Sequence, residues 1–274
     1  MSKSFTWDGN DLSLYGLHVS EYSIPEMGAI RSSVHSAVFG DSLFTSTNHT
    51  TQQITIRCEV IGGSRIDLSE KMSSVLGILN PILADKPFTF PDFPDKRFVG
   101  RVVSITPPEV KGELGRVFTV EVVAMAHKQD LEEVNDSVAI IATPETYTIP
   151  AISGNMSRIP VVLYLRNSTV SPHILSPITI ENTTTNETMV VTPTVSQGKS
   201  IRFGELDSNG RYTESIGVSG GTEAIPSNNT YNDSIASYTS GDWIRLKGGV
   251  DNSIMVTGFV SNGVFEWAYR GKHF

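Results

Sequence analysis

The chain has 274 residues, enough for two domains, and 39% of them are hydrophobic. Net charge is −8, divided as −6 over residues 1–143 (12 Lys+Arg, 18 Asp+Glu) and −2 over 144–274 (9 and 11), so no basic stripe exists for tight nucleic-acid binding. The single cysteine, Cys58, excludes a disulfide framework and a cysteine-ligated metal site, and no run of about 18 apolar residues is present to span a membrane.

The opening "MSKSFTWDGNDL" lacks the apolar region of a secretory signal, so folding in a cytosol is expected. The Asn-x-Ser/Thr triplets at Asn48, Asn167, Asn182 and Asn186 then read as accidents of composition. Residues 5–24 suggest short strands broken at Asp8-Gly9 and Tyr15-Gly16. Segment 23–51 is weakly patterned, with Pro25, Gly28, Gly40 and many Ser and Thr. A structureless loop of this length is uncommon inside a compact domain, so it is expected to be mobile or to order against a neighbouring subunit.

"QQITIRCEVIGG" (52–63) reads as a strand with Ile54, Ile56, Cys58 and Val60 on one face, which makes Cys58 a small core hydrophobe. "DLSEKMSSVLGILNP" (67–81) predicts a helix with an apolar stripe of Leu68, Met72, Val75, Leu76 and Leu79, stopped by Pro81. Asp67 and Glu70 have capping-box spacing, although Ser or Thr usually opens that motif. Residues 86–109 predict an edge strand, a turn through Pro91 and Pro94, and a strand through Phe98–Ser104. "GRVFTVEVVAMAHK" (115–128) is the strongest alternating strand.

An acidic stretch (129–137) and "ATPETYTIP" (142–150) bracket the expected domain boundary, giving domains 1–143 and 144–274. From 158 onward seven short strands are predicted with no helix pattern, which indicates an all-β sandwich or jelly roll. Within them, Ile178 and Ile180, then Met189 and Val191, keep a two-residue period around a Thr-rich turn. Asn186 stands where that turn needs a positive φ, and a second tight turn is expected at Gln197-Gly198. The threonine hydroxyls of the first turn are expected to satisfy local backbone groups.

Catalytic patterns are missing. His18, His35, His49, His127, His173 and His273 have no partner at zinc-ligand spacing, so no metal is expected, and no cofactor. "QGKS" (197–200) lacks the first glycine of a phosphate loop, position 193 being Pro193. Glu132-Glu133 and Asp92/Asp95 lie in polar linkers and read as solvated charges. Trp243 and Trp267 fall inside alternating strands and are expected in the core. The alternative puts Tyr231, Tyr238 and Trp243 on a glycan-contacting face.

The order of these pieces resembles the distal tail protein (Dit) family of long-tailed, non-contractile bacteriophages. The resemblance runs through "FTWDGNDLSLYGLHVSEYSIPE", "VFGDSLFTS" with "QQITIRCEV", the helix, and "FPDFPDKRFVGRVVSI". It continues through "ITIENTTTNETMVV" with "VSQGKSIRF", and "GDWIRLKGGVDNSIMVTG" with "FEWAYRG". It implies a mainly β fold: a tail-tube-like, ring-forming first domain with one helix and a galectin-like second domain. It also implies a non-enzymatic homo-hexamer at the virion tail tip, made in the host bacterial cytoplasm. Such a ring joins the tail tube protein to the tail-associated lysin or fibre hub, carries receptor-binding proteins in some members, and passes DNA without binding it specifically. A lectin-like host-adsorption module is the second reading, and a peptidoglycan hydrolase, for which no carboxylate pair is found, the last.

Overall fold

The computed structural model describes residues 5–24, 30–36, 42–49, 51–125, 127–169, 177–192, 195–207, 212–232, 238–259 and 262–273. The chain is mainly β, with one α-helix among these residues, and divides into two compact units, 1–129 (with residue 274) and 130–273. The boundary expected at 143/144 lies one strand further along, beyond Val134–Ile140.

The first unit contains β1 (Thr6–Trp7), β2 (Asn10–Asp11), β3 (Leu17–Ser23), β4 (Ile30–Ser36), β5 (Ser42–His49) and β6 (Gln52–Ile61). These are followed by α1 (Arg65–Ile78), β7 (Lys86–Thr89), β8 (Lys96–Ile105), β9 (Glu109–Lys111) and β10 (Gly115–Ala124). One sheet runs β2-β1-β7-β8-β10-β6-β3, and β9 pairs with the start of β10. The alternation read from β6 and β10 holds. Ile54, Ile56, Cys58 and Val60 share a core with Phe118, Val120, Val122 and Ala124. Burying each of the aliphatic side chains contributes about 1.5–3 kcal/mol.

Leu68 and Val75 of α1 and Leu79 at its C-cap bury into that core, and Met72 packs partly against it. The helix starts earlier than predicted. Its N-cap is Ser64, whose Oγ accepts from Asp67 N at 3.1 Å, while Asp67 Oδ2 accepts from Gly63 N at 2.6 Å. The box is therefore Ser64 with Asp67, one turn before the expected pair, because a serine oxygen reaches the free N–H groups that open a helix.

One expectation fails here. The strand β7 is not at an edge: β1 flanks it on one side and β8 on the other. Pro87 still fits, since its carbonyl accepts from Asp8 N at 2.8 Å and a proline lacks only the donor. Segment 23–51, expected to be mobile or to order against a neighbouring subunit, holds two strands among its described residues. Its β4 and β5 pair antiparallel from Ile30↔His49 to Ser36↔Ser42 and form a two-stranded sheet of their own. Polar Ser, Thr and Asn interrupt the apolar periodicity of both strands, so they give no amphipathic signal.

In sequence β11 (Lys128–Asp130) lies at the junction of the units. The second unit follows with β12 (Val134–Ile140), β13 (Glu145–Ile149), β14 (Ile159–Arg166), β15 (Ile178–Asn182), β16 (Glu187–Val191), β17 (Ser200–Leu206) and β18 (Tyr212–Ser219). It closes with β19 (Tyr231–Asn232), β20 (Tyr238–Gly241), β21 (Arg245–Leu246), β22 (Asn252–Thr257), β23 (Gly263–Tyr269) and β24 (Lys272–His273). Two antiparallel sheets, β12-β23-β14-β17-β18-β19 and β13-β22-β15-β16-β20, enclose one core. Leu163, Leu165, Phe203 and Phe265 enter it from the first sheet, and Ile149, Ile180, Val191 and Ile254 from the second. This is the predicted sandwich. All seven strands foreseen after residue 158 are present; β18, whose polar half hides its apolar end, and the short β19, β20 and β24 were not foreseen.

Candidate functional site

The Thr-rich turn builds the framework of the one unit-2 cavity described. The strands β15 and β16 pair with Ile180 opposite Met189, and Asn186 takes φ 57°, as its position required. The threonines reach further than local backbone. Thr183 Oγ1 donates to Ser253 O at 3.3 Å, and Thr184 Oγ1 accepts from Ser253 N at 3.1 Å, so the turn is tied to β22. Beneath it, fully buried Asn182 donates to Arg245 O at 2.6 Å and to Asn252 Oδ1 at 3.2 Å. Asn252 in turn holds Lys247 N and O at 2.8 and 3.0 Å. These bonds satisfy buried amides and fix the segment 242–252 against the hairpin.

Glu187 opens β16 on the same parity as Met189 and Val191 and is therefore turned toward the core; only 3% of it is exposed. Its charge is met. Oε2 accepts from Arg245 N at 2.6 Å and from Thr185 Oγ1 at 3.0 Å, and Oε1 pairs with Arg158 Nη2 at 3.0 Å. Arg245 also pairs with Glu214 and lies over the Tyr212 ring, 4.8 Å from its centroid. Gly241 ends β20 at φ 105°, where an added Cβ would fall 2.0 Å from Thr188 O. Only glycine lets that chain close on β16. Next to it, Asp242 N donates to Thr188 O at 2.7 Å.

Around this frame is a surface cavity of about 190 Å³, lined by Arg158, Glu187, Glu214, Asp242, Trp243 and Arg245 besides Gly241. Trp243 is half-buried and packs against the core from one wall, while Trp267 is wholly in the core at 4% exposure. The structure does not bring Tyr231 to this cavity. Its hydroxyl donates to Pro226 O at 2.7 Å and meets Ser200 Oγ at 2.6 Å, and its ring packs with Tyr164. Burial pushes the Tyr231 phenol up to about 12. Tyr238 opens β20, and its side chain lies outside the described set. Sequence reasoning missed Glu187 and Arg245, although Glu187 is a charge in a core-facing register and Arg245 shares the face of Trp243 along "DWIRLK". Arg158 and Glu214 carry no sequence signal.

Other polar clusters do not assemble chemistry. Asp130 Oδ1 and Ser153 Oγ both contact His273 Nε2, at 2.8 and 3.3 Å; a nucleophilic relay needs the carboxylate on one ring nitrogen and the hydroxyl on the other. A second cavity, in the first unit, has Glu59 paired with Lys111 at 2.7 Å and Glu21 opposite Arg57 in register, which is a solvated, charge-paired sheet face. Among the described residues no group of three or more His, Cys, Asp or Glu could hold a metal ion.

These two units, a one-helix sheet and then a β-sandwich, share the fold of a phage Dit protein, as comparison with a solved structure shows. The Dit protein of phage SPP1, described as a paradigm of the hub adsorption apparatus in phages infecting Gram-positive bacteria, aligns with TM-score 0.63 and 17% identity over 97% of this chain and 98% of that one. A chain of the phage P2 baseplate in its Ca-activated conformation aligns with TM-score 0.47 and 11% identity over 94% and 92%. No protein-family model and no curated protein matches the sequence.

Proposed function

We propose that this protein is the structural hub of a bacteriophage tail tip. Six copies form a ring through the first unit, between the tail tube protein above and the baseplate or fibre hub below, and DNA passes through the lumen. The observation that carries this reading is the end-to-end correspondence with the SPP1 Dit protein, which spans both units in order. Two features support it. Residues 1–143 carry −6, which repels phosphate and suits a conduit that must not hold its cargo. The β4–β5 ribbon is a sheet of two strands only, and such a ribbon is marginally stable alone in water; strand or loop docking on the next copy gives it cover.

Light scattering on the purified chain tests the reading. Six copies of 29.8 kDa give about 179 kDa, with rings visible in negative stain. Particles lacking the protein at their tip would refute it. A second reading, in which the sandwich of the second unit is a carbohydrate-binding module for host adsorption, is favoured by one observation, the Trp243 cavity.

A further inference from the structure

We infer that the Trp243 cavity is a subsite for one ring of a neutral or amine-bearing saccharide, and that it rejects phosphate- or carboxylate-bearing polymers. The inference rests on the carbohydrate-binding reading of the second unit and is independent of ring formation.

Size comes first. Pockets for drug-sized ligands run roughly 300–1,000 Å³. At about 190 Å³ this one holds a single sugar ring, with any further residues of the glycan outside it. Its chemistry matches a polyol. A sugar hydroxyl both donates and accepts, and a guanidinium beside a carboxylate answers both demands. Glu187 is the fixed acceptor, 3% exposed and held from three sides. Arg158 spends one Nη2 bond on it, and with its side chain 71% exposed it keeps further N–H donors for a hydroxyl oxygen. Asp242 is exposed at the rim, and its carboxylate makes no hydrogen bond among the described residues. Trp243 supplies an apolar wall for the C–H face of a pyranose.

Charge then sets the class. Among the described lining residues two guanidiniums (Arg158, Arg245) face three carboxylates (Glu187, Glu214, Asp242), a balance of −1. Each guanidinium is already paired, so the excess is Asp242. An anionic ligand meets that uncompensated charge, whereas a hydroxyl or ammonium is drawn to it.

The test uses the full chain and acrylamide quenching of tryptophan emission. Trp7 and Trp267 are only 2% and 4% exposed, so quenching reports mainly on Trp243. The probes are methyl glucoside, methyl galactoside, N-acetylglucosamine and glucosamine, with glycerol phosphate as the anionic comparison. At least one of the four is expected to protect Trp243 with a Kd on the order of millimolar, and glycerol phosphate is not. Calorimetry with the best probe should show Arg158→Met and Asp242→Asn each weakening binding about tenfold, as for loss of a charge-assisted hydrogen bond. Melting follows both variants, and Asp242→Asn decides if Arg158→Met melts early. Protection by none of the four, equal protection by glycerol phosphate, or wild-type affinity in Asp242→Asn overturns the site. A sugar that binds by calorimetry without shielding Trp243 also overturns it, yet leaves the carbohydrate-binding reading standing. Light scattering on the same samples keeps the hub reading separate.

Discussion

Phe88 is the centre of the aromatic core in the first unit, and replacing it tests how that core is held. Its ring is fully buried, with ring centroids 5.0 Å from Trp7, 5.4 Å from Phe98, 5.7 Å from Phe90 and 6.4 Å from Phe5. A Phe→Ala change in a core costs about 3–5 kcal/mol through lost transfer energy and the cavity left behind. Four ring partners, two of them stacked, put Phe88→Ala in the upper half of that range, at about 4 kcal/mol. Under conditions where amide exchange follows the opening equilibrium, every 1.4 kcal/mol is about a tenfold change in rate. Peptides covering Gln52–Ile61, Lys96–Ile105 and Gly115–Ala124 should therefore exchange close to a thousandfold faster, as read by mass spectrometry. The control is Val110→Ala, a residue 72% exposed on β9, expected within about 0.5 kcal/mol of the parent. Less than about a tenfold acceleration in Phe88→Ala would mean that the aromatic cluster is not what holds the sheet.

Ser64→Ala should lower stability by about 1 kcal/mol, measured by urea denaturation, through loss of the α1 cap. In the same box the Gly63 N–H, with Lys71 beside it, holds the Asp67 carboxyl below its usual value. Its contribution is complete above the unfolded carboxylate pKa and fades as pH falls through the lowered folded value, so Asp67→Asn should flatten the acid limb of the pH–stability curve. Glu266 is the opposite case: burial raises its carboxyl, so folded stability falls as pH rises from the unfolded value through the raised one. Glu266→Gln should accordingly gain melting temperature relative to the parent as pH rises above the unfolded carboxylate value, and a constant difference would contradict the burial argument. Cys58 is fully buried and burial pushes its thiol up to about 12, so an aromatic disulfide reagent should leave it unmodified in the folded chain and react fully in urea.

Several of these features were legible in advance for one reason: they depend on neighbours in sequence. The two-residue period of 52–61 and 115–124 chooses a face whatever partner the strand finds. Asn186 marks a left-handed turn residue because few side chains tolerate that conformation. The β4–β5 ribbon was missed because its serines and threonines break the apolar alternation that would declare a face. The site was half legible. Trp243 stood out by type, whereas Tyr231 has the same credentials and is committed to Ser200 and Pro226, and Glu187, which breaks the apolar parity of its strand, was not singled out.

By itself, then, the order of residues determined a mainly β chain, the strands that alternate, the side each presents, and the turns that join them. Only the tertiary structure decided that β7 is flanked on both sides and that Arg158, Glu187, Glu214 and Trp243 meet around one cavity. Side-chain alternation and turn conformation are set within a few bonds. The meeting of four strands' ends is set by how two sheets stack, and the contributing residues lie too far apart along the chain for any local preference to encode it.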